Sequence, residues 1–221
     1  MKLKAKDVAR IKQIGQAILQ ANRPYMTIAI DTASDLEDMC LPLAEQIYSG
    51  TSMGKYWFVD KNGIPHNKDY APSPENPAGG ASKALKREYG SIINLPEGAG
   101  YQYLRQAFES VYNYTKTWAP RTILSCHVKD IKLDDKNKVV NAMSLDLTGK
   151  IKKTVASKAD AIGYMFRRGN QNILSFKTSD TIACGARSEH LRNQEIVISE
   201  YDQKTKAVTC FWDRIYLPEL A

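Results

Sequence analysis

An aspartate, Asp31, ends a short apolar run in YMTIAIDTASDLE (residues 25–37), and a histidine, His127, follows a second such run in RTILSCHVKD (residues 121–130). Segments 26–30 and 121–126 are too short for helices and rich in β-branched residues, so they read as strands buried on both faces of a helix-covered parallel sheet. Open α/β sheets bind ligands beyond the carboxyl ends of their strands, and Asp31 and His127 both fall there. A carboxylate in that place can hold a metal ion or its water shell, and an imidazole can donate to a phosphate oxygen. A plainer role also fits, in which Asp31 and Thr32 end the strand and cap the next helix. Basic residues gather after the strand ends: Lys129, Lys132, Lys136, Lys138, Lys150, Lys152, Lys153, Arg167 and Arg168, partly offset by Asp130, Asp134, Asp135 and Asp146. A cluster of this kind can neutralise nucleic-acid phosphates.

The elements that must position these residues follow from periodicity and punctuation. Val8, Ile11, Ile14 and Ile18 recur at helical spacing within residues 1–23, predicting an amphipathic helix laid on the sheet. Ser34 and Glu37 have capping-box spacing, which predicts a helix over about 35–47 with Pro42 kinking it or ending it early. The clearest helix spans 98–118, with Tyr101, Leu104, Phe108, Val111, Tyr112 and Trp118 on one stripe and Pro120 as its stop. Residues 129–146 read as a β-hairpin or mobile loop, 147–158 as the start of a basic helix, and 160–166 as a third buried strand beside the first two. Later runs at 172–176, 195–199 and 207–212, the last two joined by a DQKTK turn, make the final third strand-rich and antiparallel. Between about 60 and 96 the chain turns to Pro, Gly, Asn, Ser and Lys, which predicts a long mobile loop. Its Lys83, Lys86 and Arg87, with Tyr70 and Tyr89, suit charge and stacking contacts with nucleic acid. Gly50 to Lys55 imitates a phosphate loop, but it has three residues between its glycines, carries Tyr56 after the lysine and follows a helix. A Walker A loop needs four residues there, Ser or Thr after the lysine and a preceding strand.

Bulk properties narrow the function classes. At 221 residues and 43% hydrophobic the chain can bury a real core, so a single domain is expected in place of disorder. A formal net charge of +7 suits a polyanionic partner. Cys40, Cys126, Cys184 and Cys210 lack the spacing of a zinc ribbon or disulfide framework, and His66, His127 and His190 form no ligand pair on one element. A metalloenzyme is therefore disfavoured. The charged N-terminus has no apolar signal-like core and no run is long enough to span a bilayer, so a cytoplasmic location without membrane contact is expected.

Taken in order, TIAIDT, GYQYLRQAF, ILSCHVKD, LDLTGKIKK, ADAIGYMFRR, CGARSEHL and IVISEY resemble the RecA-like phage ATPases of recombination and replication modules, from about Val8 to Trp212. The resemblance implies a three-layer α/β P-loop NTPase core spanning 1–221, with a mainly parallel central sheet and antiparallel C-terminal strands. It makes the strand before Asp31 the Walker B strand, with Asp31 as magnesium ligand beside Thr32, and makes His127 the γ-phosphate sensor. It directs Lys150, Arg167 and Arg168 toward ATP, and Lys129, Lys132, Lys150, Lys152 and Lys153 toward single-stranded DNA. The implied setting is DNA recombination or replication in the cytoplasm of a phage-infected host, by a homo-oligomer or with a separate chain carrying the Walker A unit. One departure stands out: nothing before Met26 reads as a glycine-rich phosphate loop, and Gly15 is alone in its helix. The chain is then expected to be truncated or one half of a split ATPase, so that ATP hydrolysis needs a missing phosphate loop, or else to have kept the fold and lost hydrolysis. The alternative is a non-catalytic DNA-binding or assembly module on the same fold.

Overall fold

A computed structural model describes residues 3–51, 57–59, 65–67, 91–135, 138–179 and 181–217. The chain divides into two compact units, Met1–His127 with Leu147–Ile151, and Val128–Asp146 with Lys152–Ala221.

The first unit opens with α1 (Val8–Gln20), whose N-cap Asp7 accepts the Arg10 amide at 2.7 Å. The predicted stripe turns inward at Ile11, Gly15 and Ile18. Gly15 is there for contact, since a Cβ at that position would lie 2.5 Å from the Trp118 indole. Asn22 and Arg23, both at positive φ, end the helix. Strand β1 (Thr27–Ile30) leads through Asp31 and Thr32 into α2 (Ala33–Met39) and α3 (Leu41–Ser49), which meet at Cys40 with Pro42 in the first turn of α3. Pro42 thus breaks the predicted helix, because its ring fits a first turn and not an interior. A short antiparallel pair, β2 (Trp57–Val59) and β3 (Pro65–Asn67), precedes two 3₁₀ turns and the long α4 (Ala99–Thr115). Leu104, Ala107, Phe108 and Val111 of α4 are buried with Leu36, Ala44 and Ile92, and Tyr103 packs against Tyr48 at 5.0 Å between ring centroids. Tyr101, placed on the predicted stripe, is 44% exposed.

Strand β4 (Arg121–Leu124) lies parallel to β1, with Thr27 opposite Arg121 and Ile30 opposite Leu124. The two predicted strands are therefore neighbours in the expected sense. They are not buried on both faces: every residue of the pair is half-buried except Ala29, which is exposed. The described sheet has only these two strands, and a parallel pair without further neighbours or full helix cover leaves its apolar side chains partly open to water.

The second unit is antiparallel in its named strands. A hairpin of β5 (Val128–Asp135) and β6 (Lys138–Leu145) realises the prediction for 129–146. Met143 of β6 also exchanges backbone hydrogen bonds with Thr181 and Ala183. Helix α5 (Ile151–Lys158) follows. The segment 160–166, expected as a third central parallel strand, divides at Gly163 into β7 (Ala161–Ile162) and β8 (Tyr164–Arg168). Here β8 pairs antiparallel with β9 (Gln171–Ser175), and β7 with β10 (Gly185–Ala186). The cause is local: Gly169, at φ 60, closes a tight turn that folds β9 straight back on β8. With β11 (Glu195–Tyr201) and β12 (Val208–Cys210) the order is β12-β11-β9-β8, a four-stranded sheet. Phe176, Leu191, Ile198 and Ile215 form its core. Among the described residues no helix is long and apolar enough to cross a membrane.

Candidate functional site

The carboxyl edge of the β1–β4 pair is built by backbone bonds that place two side chains face to face. Parallel register puts Asp31 opposite Ser125, each one residue past its strand. The Ser125 amide donates to the Ile30 carbonyl at 3.0 Å, and the Ser125 carbonyl accepts the Ala33 amide at 2.8 Å. So tied, Ser125 donates its hydroxyl to Asp31 Oδ1 at 2.6 Å. That length is typical of a hydroxyl on an ionised acceptor. Both side chains are exposed, so the carboxylate is held in place yet open to a ligand. The Asp31–Thr32 peptide is cis.

Thr32 takes the plainer role considered above and caps α2. Its hydroxyl oxygen accepts the Asp35 amide at 3.2 Å and its hydroxyl donates to Asp35 Oδ2 at 3.0 Å. This corrects the capping box expected at Ser34 and Glu37: the cap lies two residues earlier, because the strand ends at Ile30 and leaves Thr32 extended. Glu37 is thereby freed for another purpose. It is 6% exposed and accepts both the amide of Thr148, at 3.1 and 3.3 Å, and its hydroxyl. Burial, reinforced by the Glu37 charge, pushes the nearby Cys40 thiol up to about 12.

Of the residues singled out from the sequence, Asp31, Thr32, His127 and Lys150 belong to the first unit. His127 is exposed two residues beyond Ser125 on the expected edge, but the hydrogen bond of Asp31 goes to Ser125. Lys150 is exposed, following Gly149 at φ 47. Lys129, Lys132, Lys152, Lys153, Arg167 and Arg168 belong to the second unit. Several of these cations already have partners. Lys129 pairs with Asp146 at 3.7 Å and Arg168 with Glu195 at 3.1 Å, while Arg167 Nε donates to the Gly169 carbonyl. The bond from Arg168, aided by Lys177, holds the Glu195 carboxyl below its usual range. Lys153 is exposed and Lys152 half-buried. Lys132 lies within β5. The phosphate-loop imitation at 50–55 falls outside the described residues except for Gly50, which caps α3, and Thr51, whose hydroxyl donates to the Tyr48 carbonyl at 2.7 Å; Tyr70, Lys83, Lys86, Arg87 and Tyr89 also lie outside them.

Ser125 and Thr148 were missed by sequence reasoning, and Glu37 was expected in a capping box instead of on Thr148. A signal existed for Ser125 alone, as the first polar residue after an apolar strand; a buried Glu on a helix looks like any surface Glu until its partner is known. Among the described residues no group of three or more His, Cys, Asp or Glu forms a ready metal cage. At the edge only a lone carboxylate is described, and a hard cation such as magnesium is often held by one or two carboxylates together with substrate phosphates. Asp31 would supply the carboxylate. Comparison with protein-family models, curated proteins and solved structures finds no match for this chain.

Proposed function

We propose that the carboxyl edge of the β1–β4 pair is a nucleotide-phosphate site, and that the chain is the core of a RecA-like phage ATPase acting on single-stranded DNA. The observation that carries the reading is the exposed Asp31 carboxylate fixed by Ser125 at the edge of two parallel strands, where α/β sheets place their ligands. Magnesium bound with ATP would neutralise phosphate charge there. The chain's own part is to hold Asp31 in one rotamer through Ser125, and to offer His127 and Lys150 as donors to phosphate oxygens.

Among the described residues no glycine-rich loop follows β1 or β4, and such a loop makes most direct phosphate contacts in NTPases of this kind. A phosphate loop from outside the described residues therefore belongs to the proposal. The half-exposed apolar strands of the β1–β4 pair support it, because they have the composition of central strands and, among the described residues, lack the cover that central strands have. Calorimetry on the isolated chain tests the reading. ATP should bind weakly, with Kd of about 1 mM, only when magnesium is present, and without turnover. Asp31→Asn should abolish the magnesium dependence. Binding that ignores both magnesium and this substitution would overturn the site, and micromolar affinity would mean that this chain supplies its own phosphate loop.

A further inference from the structure

Resting on the phosphate site proposed above, we infer that Glu37 is a positioning residue that presents Lys150 to the ligand's phosphates. On α2, Ala33 and Glu37 are four apart and share a face. The Ala33 amide donates to the Ser125 carbonyl, and the Glu37 carboxylate receives Thr148. The two attachment points on α2, the Ala33 amide for the end of β4 and the Glu37 carboxylate for Thr148, thus sit one helical turn apart. The loop is pinned on both sides of that bond by Leu147, 7% exposed, and Ile151, 2% exposed. Between the pins only Thr148, Gly149 and Lys150 face water, and Gly149 takes a left-handed turn with nothing within 4 Å of where a Cβ would be. Lys150 thus leaves a fixed base on a flexible four-carbon stem.

The chemistry of Glu37 fits this role better than a purely structural one. A buried carboxylate is costly unless its oxygens are bonded, and a packed apolar residue would close the core as well. What the carboxylate adds is a fixed pair of acceptors for one amide and one hydroxyl, which sets the loop conformation at Thr148. Residues Leu147–Ile151 are the segment after His127 that belongs to the Asp31 unit. Lys152 and Lys153 fall to the other unit, so Lys150 is the lysine of the LTGKIKK motif in the same unit as Asp31.

A double-mutant cycle tests the inference, with magnesium tripolyphosphate as probe and calorimetry as readout. Lys150→Ala should raise Kd about tenfold, as expected for one lost contact to a charged group. Glu37→Gln and Thr148→Val should each approach that loss, Thr148→Ser should restore wild-type affinity, and Glu37→Gln should cost nothing more in the Lys150→Ala background. Acetylation footprinting gives a second readout: the probe should protect Lys150 in the wild type and fail to protect it in Glu37→Gln, with Lys153 unchanged in both. If the wild type binds and Lys150→Ala binds as tightly, the inference is wrong while the phosphate site stands. Equal further loss from Glu37→Gln in the Lys150→Ala background would make Glu37 merely structural and overturn it too. Should wild-type protein bind neither tripolyphosphate nor ATP, both readings fall.

Discussion

At the scale of residues, the contrast between Asp31 and Glu37 is instructive. Both are acids six positions apart, yet one is exposed and tied by a single hydroxyl, whereas the other is buried and bonded by an amide and a hydroxyl. The first arrangement leaves lone pairs for a ligand, and the second consumes them. Cys40, buried beside Glu37, shows what that environment does to a neighbour that must lose a proton to react. With its thiol pushed up to about 12, Cys40 should resist iodoacetamide at pH 8, while exposed Cys210 reacts. Mass spectrometry of partly alkylated protein would show this, and equal labelling of the two would contradict it. The sign of the pH effect follows from the same shift. The folded state holds the proton more tightly than the unfolded chain, so this contribution is complete below the unfolded thiol pKa near 8.5. It is lost as pH rises from there toward 12, and Cys40→Ala should flatten the alkaline decline of the urea midpoint.

At the scale of elements, close approaches decide which glycines are indispensable. A Cβ on Gly100, in the first turn of α4, would lie 1.9 Å from the Ile92 carbonyl oxygen, a backbone atom that cannot rotate away. Helix propensity favours Ala over Gly by about 1 kcal/mol, but overpacking costs about 1–3 kcal/mol and occasionally more, so the clash wins. Gly100→Ala should lower stability by about 2 kcal/mol in urea titrations. Gly163→Ala is the control, because its new Cβ would meet the Leu174 side chain at 2.7 Å, and a side chain can shift. The loss there should be smaller, and a reversed order would mean that the 3₁₀ turn at Ile92–Asn94 yields more readily than the sheet. The α2–α3 break, the hairpin of β5 and β6 and the helix α4 were legible in advance, since each is written in a local signal: a proline, a charged turn, a periodic stripe. The cap at Thr32 was misplaced because two candidate caps lie two residues apart, and the end of β1 chooses between them.

For the whole molecule, the net charge of +7 is the property most relevant to a DNA partner. Single-stranded DNA should bind with an affinity that falls with salt by a slope of about 0.7 per phosphate contacted, and with little sequence preference. Lys150, Lys152 and Lys153 replaced together by Ala should weaken binding and flatten that slope. Arg168→Ala should change it less, because Arg168 is already paired with Glu195. Fluorescence anisotropy with a labelled oligonucleotide in low salt reads both. Wild-type binding by the triple variant would remove these lysines from the DNA contact.

By itself the sequence determined the helices, most strand segments, the parallel-strand character of β1 and β4, and the place of Asp31 and His127 at their carboxyl ends. These follow from side-chain period and from residues that stop a helix or strand, which act over a few positions. Tertiary structure alone decided that Ser125 meets Asp31, that Glu37 turns inward to Thr148, more than a hundred positions away, and that β7 leaves the line of β8 to pair with β10. The physical reason is that strands of similar composition satisfy their backbone hydrogen bonds equally well with several partners. Only tertiary packing selects among them.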